Sequence, residues 1–204
     1  MNNKIGAYSS IINAGAVIFF AISLLADFTF GSFVASMFIA YSFVPMICAF
    51  AWNSKPEHKT AGYTAMIFAG MYATFILLIY FTQITTLRNE VLNEQATALL
   101  DYTTFGLFFN LNLMGYGLMS LSTFFVGLTV NVKTKADKLL KYLLIIHGIF
   151  AVTGFIMPTL GVFTNMEGAD IIGNFILLFW CAFFTPIGVL SHRHFKTKQE
   201  RAII

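Results

Sequence analysis

Charge is what this chain has least of. Only 10% of its 204 residues are Asp, Glu, Lys or Arg, against about 25% in ordinary globular domains. No charged residue falls deep inside any of its long apolar runs, which argues against proton pumps, cation-coupled carriers and voltage sensors, all of which work through embedded charge. Cysteine is nearly absent too. Cys48 and Cys181 both lie in apolar runs, where a thiol behaves as a small buried hydrophobe, and with no CxxC there is neither a disulfide framework nor a redox motif. Walker A, GxSxG and HExxH are missing. These absences leave no nucleotide or nucleophile chemistry to read, and no cofactor is expected.

Apolar sequence fills the space that charge leaves. Hydrophobic residues make up 58% of the chain and the mean hydropathy is +0.78. A membrane-crossing helix needs about 20 predominantly apolar residues, and six runs meet that length, near 7–26, 32–52, 62–83, 104–130, 139–161 and 171–190. The expected fold is therefore all-α, a single bundle of six transmembrane helices, with one long outer connector at 84–103. The first run follows Met1-Asn-Asn-Lys4 in the manner of a signal peptide. It is about twice the usual length of such a hydrophobic region, and Leu24-Leu25-Ala26 lacks the small residue a cleavage site needs. It is therefore read as a span.

The few charges are sorted by side. Eleven of the twelve Lys and Arg residues lie in the N-terminus, the second and fourth loops and the C-terminus, and only Arg88 lies opposite. The opposite loops carry Asp27, Glu90, Glu94, Asp101, Glu167 and Asp170. Basic residues near span ends stay in the cytoplasm, so both termini are expected there, in the cell membrane. The net charge of +3 then reflects topology and contact with anionic headgroups; nucleic acid is not an expected partner.

Helical spacing picks out protein-facing stripes. In the fourth span Gly106, Asn110, Leu113, Gly117, Ser120, Phe124 and Gly127 share one face. Lipid tails give helices no hydrophobic reason to associate, so small residues and interhelical hydrogen bonds supply the attraction, and this span is expected at the centre of the bundle. Gly154 joins Leu140, Leu144, His147 and Ala151 on the fifth span's stripe, while Tyr72 and Gln83 share a face of the third. Pro45 and Pro186 should kink the second and sixth spans in their inner halves, where two kinks can open a vestibule. The connector alternates Leu87, Val91, Leu92, Ala96, Leu99 and Leu100 with charged residues, the pattern of an interfacial amphipathic helix. It reads either as a lid or as a solvated link.

Around Tyr80-Phe-Thr-Gln83 and Gly115-Tyr-Gly-Leu-Met-Ser120 the chain resembles uncharacterised bacterial six-span integral membrane proteins. In that group an aromatic–Gln segment, an acidic connector and a GY-containing fourth helix recur. The likeness covers Tyr80 to Phe125; it implies the six-span topology and carries over no catalytic or binding residue.

Embedded polar side chains are costly and mark candidate sites, and here they form two layers. Gln83, Asn110, Asn112 and Asn174, with Tyr72 below them, make an outer layer that suits a neutral hydrogen-bonding solute or a lipid headgroup; the same amides can also serve as glue between helices. Asn13 and His147 make an inner layer, with His58, His192 and His194 at its rim. His147 is expected to be neutral and hydrogen-bonded, since an embedded imidazolium without a carboxylate is expensive. The rim spacing is not specific for zinc, which wants three or four convergent ligands, so no metal is expected. The composition and the outer amides together suggest a protein that binds or translocates a small neutral or lipophilic molecule through an outward-facing polar pocket. The alternatives are a lipid-modifying enzyme using His147 and an accessory subunit of a membrane complex. Expected partners are membrane lipids, such a ligand, and a second membrane protein or another copy of the chain.

Overall fold

The computed structural model describes residues 1–89, 91–162 and 169–201. Glu90, Glu167 and the side chains of Asp170 and Arg201, which entered the charge comparison, lie outside the described residues. Nine α-helices follow one another among the described residues: α1 (Asn2–Leu25), α2 (Thr29–Trp52), α3 (Lys59–Ile84), the short α4 (Thr86–Asn89) and α5 (Glu94–Leu100), α6 (Leu107–Thr129), α7 (Lys135–His147), α8 (Ile149–Thr159) and α9 (Ala169–Arg201). There is no strand among them. Six helical stretches are long and apolar enough to cross a membrane, α7 and α8 together making the fifth. Helix is what this composition requires, because hydrocarbon offers backbone N–H and C=O groups no partner outside the segment itself. Hydroxyl side chains satisfy themselves the same way: Ser10, Ser36, Ser42 and Ser120 each donate to the carbonyl four residues back, at 2.6 to 2.9 Å.

The six stretches form a ring in chain order. Each packs on its sequence neighbours, α9 closes back onto α1, and α2 and α6 touch across the middle. One end of the ring gathers both termini and the basic loops: Asn53 donates to Asn3 at 2.9 Å, His192 meets the Ala7 carbonyl at 2.8 Å, and His194 meets Asp137 at 2.6 Å. Asp137 also completes a capping box with Thr134 at the start of α7, which stops that helix cleanly at its polar end. The other end carries the connector. Between them the terminal half is packed solid around Phe43, Met46, Leu140, Leu144, Phe184 and Phe195, none of which is exposed. The helices α2 and α9 run on through Pro45 and Pro186 without a break. The hollow beside Pro45 is lined by half-buried and exposed side chains such as Ile5, Cys48, Trp52 and Met66, so it is a surface groove and not a vestibule in the bundle centre.

Small residues set the closest approaches. A Cβ at Gly188 would lie 2.9 Å from the Ala14 Cβ and 3.1 Å from the Ser10 carbonyl, which brings α9 against α1. A Cβ at Gly154 would lie 2.9 Å from the Leu113 carbonyl oxygen and 3.2 Å from the Gly117 Cα, so α6 and α8 meet backbone to backbone. The seam expected along the fourth span is thus in place at Gly117, Ser120 and Gly127, all buried. It is one of two buried faces. Asn112, Gly115, Met119, Ser122 and Val126 are buried as well, against α3, where the Ser122 hydroxyl donates to the Ala65 carbonyl at 2.8 Å.

Three boundaries differ from the sequence expectation. The fifth span divides at Gly148, whose N–H bonds the Ile145 carbonyl three residues back at 3.0 Å. A side chain there would press within 2.9 Å of the Phe124 Cβ, so close packing on α6 accounts for the glycine. The sixth helix runs to Arg201, because the basic tail packs back on the bundle through buried His194 and Phe195. The connector is not one amphipathic helix. It makes two short ones, since Asn93 takes the N-cap position and accepts from the Ala96 N–H at 2.8 Å.

Gly154→Leu should destabilise the bundle by at least the 1–3 kcal/mol typical of overpacking, read as an earlier thermal transition in detergent. Gly70, where an added Cβ would meet no atom within 4 Å, is the control, and Gly70→Ala should be neutral or gain up to about 1 kcal/mol. Equal stability of both variants would remove the α6–α8 contact from the fold.

Candidate cavity at the connector end

At the connector end the ring is not filled. A cavity of about 510 Å³ opens there between the last turns of α1, the first turns of α2 and α6, the helix α8 and the first turns of α9. Aromatic rings build most of its wall. Phe33 packs on Tyr80 at 5.3 Å, Tyr80 on Tyr102 at 5.8 Å, Tyr102 on Phe109 at 5.5 Å and Phe105 edge-on to Phe109 at 4.8 Å. The floor is Tyr116 against Trp180, 5.5 Å between centroids, with Ser120 beside them.

The floor is fixed from below by one polar chain. The Trp180 indole donates to Nε2 of His147 at 2.9 Å, and Nδ1 of His147 lies 2.8 Å from the Thr123 hydroxyl. An indole N–H can only donate, so Nε2 holds a lone pair and the proton sits on Nδ1. The ring is therefore neutral, and Thr123 passes the chain on by donating to the Ser120 carbonyl at 2.9 Å. Three helices, α6, α7 and α9, are tied at this point. His147 is fully buried behind Trp180 and offers neither nitrogen to the cavity.

The roof is held by Gln83. Its Nε2 donates to the Leu100 carbonyl at 2.8 Å and its Oε1 accepts from the Tyr102 N–H at 3.2 Å. One amide at the end of α3 therefore pins the end of the connector, placing Tyr102, Thr103 and Phe105 over the cavity. At the mouth the backbone is strained. Asp27 and Phe105, with φ of 52° and 55°, are the two non-glycine residues in the left-handed region among the described residues, and both line the cavity. Such conformations cost about 1–3 kcal/mol each and persist where the surroundings dictate them.

The residues singled out from sequence are distributed unevenly around this site. Asn112 and Asn174 line the cavity, Asn112 buried and Asn174 at its edge. Gln83 serves the roof. Tyr72 lies one layer below, in contact with Phe43 at 5.3 Å and Tyr116 at 5.7 Å. Asn110 is exposed on α6 and is not among the lining residues. Asn13 works at mid-depth as an interhelical clamp, donating to the Ile39 carbonyl and the Ser42 hydroxyl, each at 3.0 Å. Sequence reasoning missed Ser23, Tyr102, Phe105 and Trp180. Single aromatics and serines in an apolar run carry no periodic signal that separates a cavity wall from ordinary packing.

Two lining side chains carry an unanswered polar atom. Oδ1 of Asn112 and Oγ of Ser23 are buried with no hydrogen-bond partner among the described residues, and their side chains belong to residues only 3% and 2% exposed. Buried polar atoms are nearly always paired; Asn13 Oδ1, Tyr72 Oη and Ser191 Oγ, in residues outside the cavity lining, are unpartnered among the described residues as well. The histidines converge on nothing: among the described residues no group of three or more His, Cys, Asp or Glu is arranged to hold a metal. No protein-family model matches the chain, and no curated protein or solved structure matches it either.

Trp180→Phe should leave Nε2 of His147 buried without a donor and cost about 1–3 kcal/mol. In a His147→Phe background the same change should cost less, giving a coupling within the 0.5–3 kcal/mol range of contacting pairs. Additive losses of thermal stability would mean that the two rings do not share this bond.

Proposed function

We propose that this protein holds or carries a small uncharged lipophilic molecule in the connector-end cavity, and that it sits in the cytoplasmic membrane with both termini inside. The observation that carries the reading is the cavity itself, an aromatic-walled space at the connector end with the polar residues Ser23, Asn112 and Asn174 in its lining. Ligand sites combine a mostly apolar lining with a few placed polar groups in about 300–1,000 Å³, and a cavity of about 510 Å³ falls in that range. The strained residues at the mouth support the same reading, since strain collects at ligand clamps. The sidedness rests on the basic residues, eleven of twelve in segments at the terminal end. With the termini inside, the cavity opens outward.

Trp180 provides the readout. In a Trp52→Phe protein it is the sole tryptophan, and a panel of small neutral lipophilic compounds should include members that change its emission saturably. Leu113→Phe, which puts bulk into the cavity wall, should abolish the response. Absence of any saturable change, or an unaltered response in Leu113→Phe, would remove the cavity as a binding site. Thiol labelling of single cysteines in a Cys48- and Cys181-free protein tests the topology. Position 94 should react from outside intact cells and position 196 should not; the reverse would turn the molecule over.

A further inference from the structure

At the terminal end of the bundle the groove beside Pro45 runs along the outward face of α2, between α1 and α3. It encloses about 590 Å³, inside the range of small-molecule sites. Its floor is low because α2 presents the short side chains Pro45 and Cys48 there. Its walls are high because glycines draw both neighbouring helices in at that level. A Cβ on Gly6 would lie 2.8 Å from the Ala49 Cβ, and one on Gly62 would lie 3.1 Å from the Ala51 Cα. The residues beside these glycines, Ile5 on α1 and Tyr63 on α3, stand up as the walls and are exposed. Close backbone packing therefore builds the groove before anything occupies it.

Depth and charge say what belongs in it. From Val44 to Trp52 the groove follows eight residue steps of α2, about 12 Å at 1.5 Å per residue, against about 15 Å for one leaflet of a hydrocarbon core about 30 Å thick. It stops near mid-membrane, so it matches one lipid chain and not a partner helix that crosses both leaflets. Trp52 and Tyr63, residue types of the membrane–water interface, stand at its rim with half-buried Lys59. The Lys59 ammonium donates to the Ala51 and Trp52 carbonyls at 3.2 and 3.0 Å, which fixes a point charge at the end of α2. An ammonium carries three N–H groups, so one is left over. Among the described residues no carboxylate pairs with Lys59 and none lines the groove; Glu57 lies 3.8 Å from the Lys55 ammonium instead. A phosphate answers the remaining N–H. A headgroup of net negative charge then leaves the rim neutral, where a zwitterionic one leaves it positive. The geometry points to an anionic phospholipid of the leaflet at the terminal end, bound with one acyl chain along Pro45 and Cys48 and its phosphate on Lys59. A choline would find the rings of Trp52 and Tyr63 open to it, so the preference rests on net charge and amounts to about fivefold, the weight of one lysine at a membrane surface.

Trp52 reports on this site. Its signal is the emission of the native protein less that of Trp52→Phe, read in phosphatidylcholine nanodiscs holding a rising proportion of chain-brominated phosphatidylglycerol or chain-brominated phosphatidylcholine. Phosphatidylglycerol should reach half-maximal quenching at a mole fraction about fivefold below phosphatidylcholine. Lys59→Gln should erase that difference, and Lys59→Arg should keep it. Cys48→Phe, which fills the floor, should erase it as well, and this variant decides by itself if Lys59→Gln does not fold. Lys4→Gln removes a basic residue outside the groove lining and should leave the difference standing. Equal mole fractions for the two lipids in the native protein overturn the site, as does a preference for phosphatidylcholine. A preference that survives Lys59→Gln belongs to the general basic surface of this end, and one that survives Cys48→Phe belongs to the headgroup layer alone; either overturns the groove. Absence of Trp52 quenching by both lipids would mean that protein covers it, and overturns the lipid.

Discussion

An indole N–H buried in hydrocarbon must find an acceptor, and in this molecule Trp180 finds Nε2 of His147. The bond fixes more than two side chains. It chooses the tautomer of the imidazole, commits Nδ1 to Thr123, and so fastens α9 to α7 and α6 at a single depth. Water cannot take the place of either partner there, and an unmet buried group costs about 1–3 kcal/mol. Everything on the terminal side of this depth is dense core. On the connector side α8 stays on α6 while α9 stays on α1, and the cavity lies between them with Trp180 in its floor.

Which helices spread is decided by the small residues. In a bilayer the attraction between helices depends on how closely backbones approach, and the chain places its small side chains at particular pairs. Gly188 and Ala14 bind α9 to α1, while Gly154 and Gly117 bind α8 to α6. These choices pull α8 and α9 in opposite directions. In a six-membered ring held this way α9 meets the fifth stretch through α7, and beyond Phe150 no residue of α8 from Val152 to Thr159 is buried.

The helical class and the six long apolar stretches could be read directly from composition and run length, because a bilayer leaves a chain of this hydropathy few other structures. Finer features were legible where one rule governed. Gly154 and Ala151 stood on the stripe that packs, and Gln83 on the face turned toward protein. The helical wheel failed at Asn110 because α6 is buried on two sides, so a single stripe could not say which of two amides two residues apart faced in; Asn112 does. The roof was hidden for another reason. Residues 101–105 leave the helical pattern, and Tyr102 and Phe105 reach the cavity only through the Gln83 clamp and a left-handed turn, neither of which has a periodicity to detect.

The helix α9 counts 33 residues, a rod of about 50 Å at 1.5 Å per residue, against a hydrocarbon core of about 30 Å. Its far end is no loose tail: Phe195 sits in the core beside Phe50, 4.5 Å between rings. The same rod that presents Asn174 to the cavity therefore carries His194, buried against Asp137, and Lys198 at the terminal end of the bundle. Pro186 lies between its contacts at Trp180 and Phe195, where the Ala182 carbonyl loses its helical donor. Trp180 and Phe195 hold the rod at two depths, so the face it turns to the cavity is set by packing on the terminal side as well as by the residues that line the space.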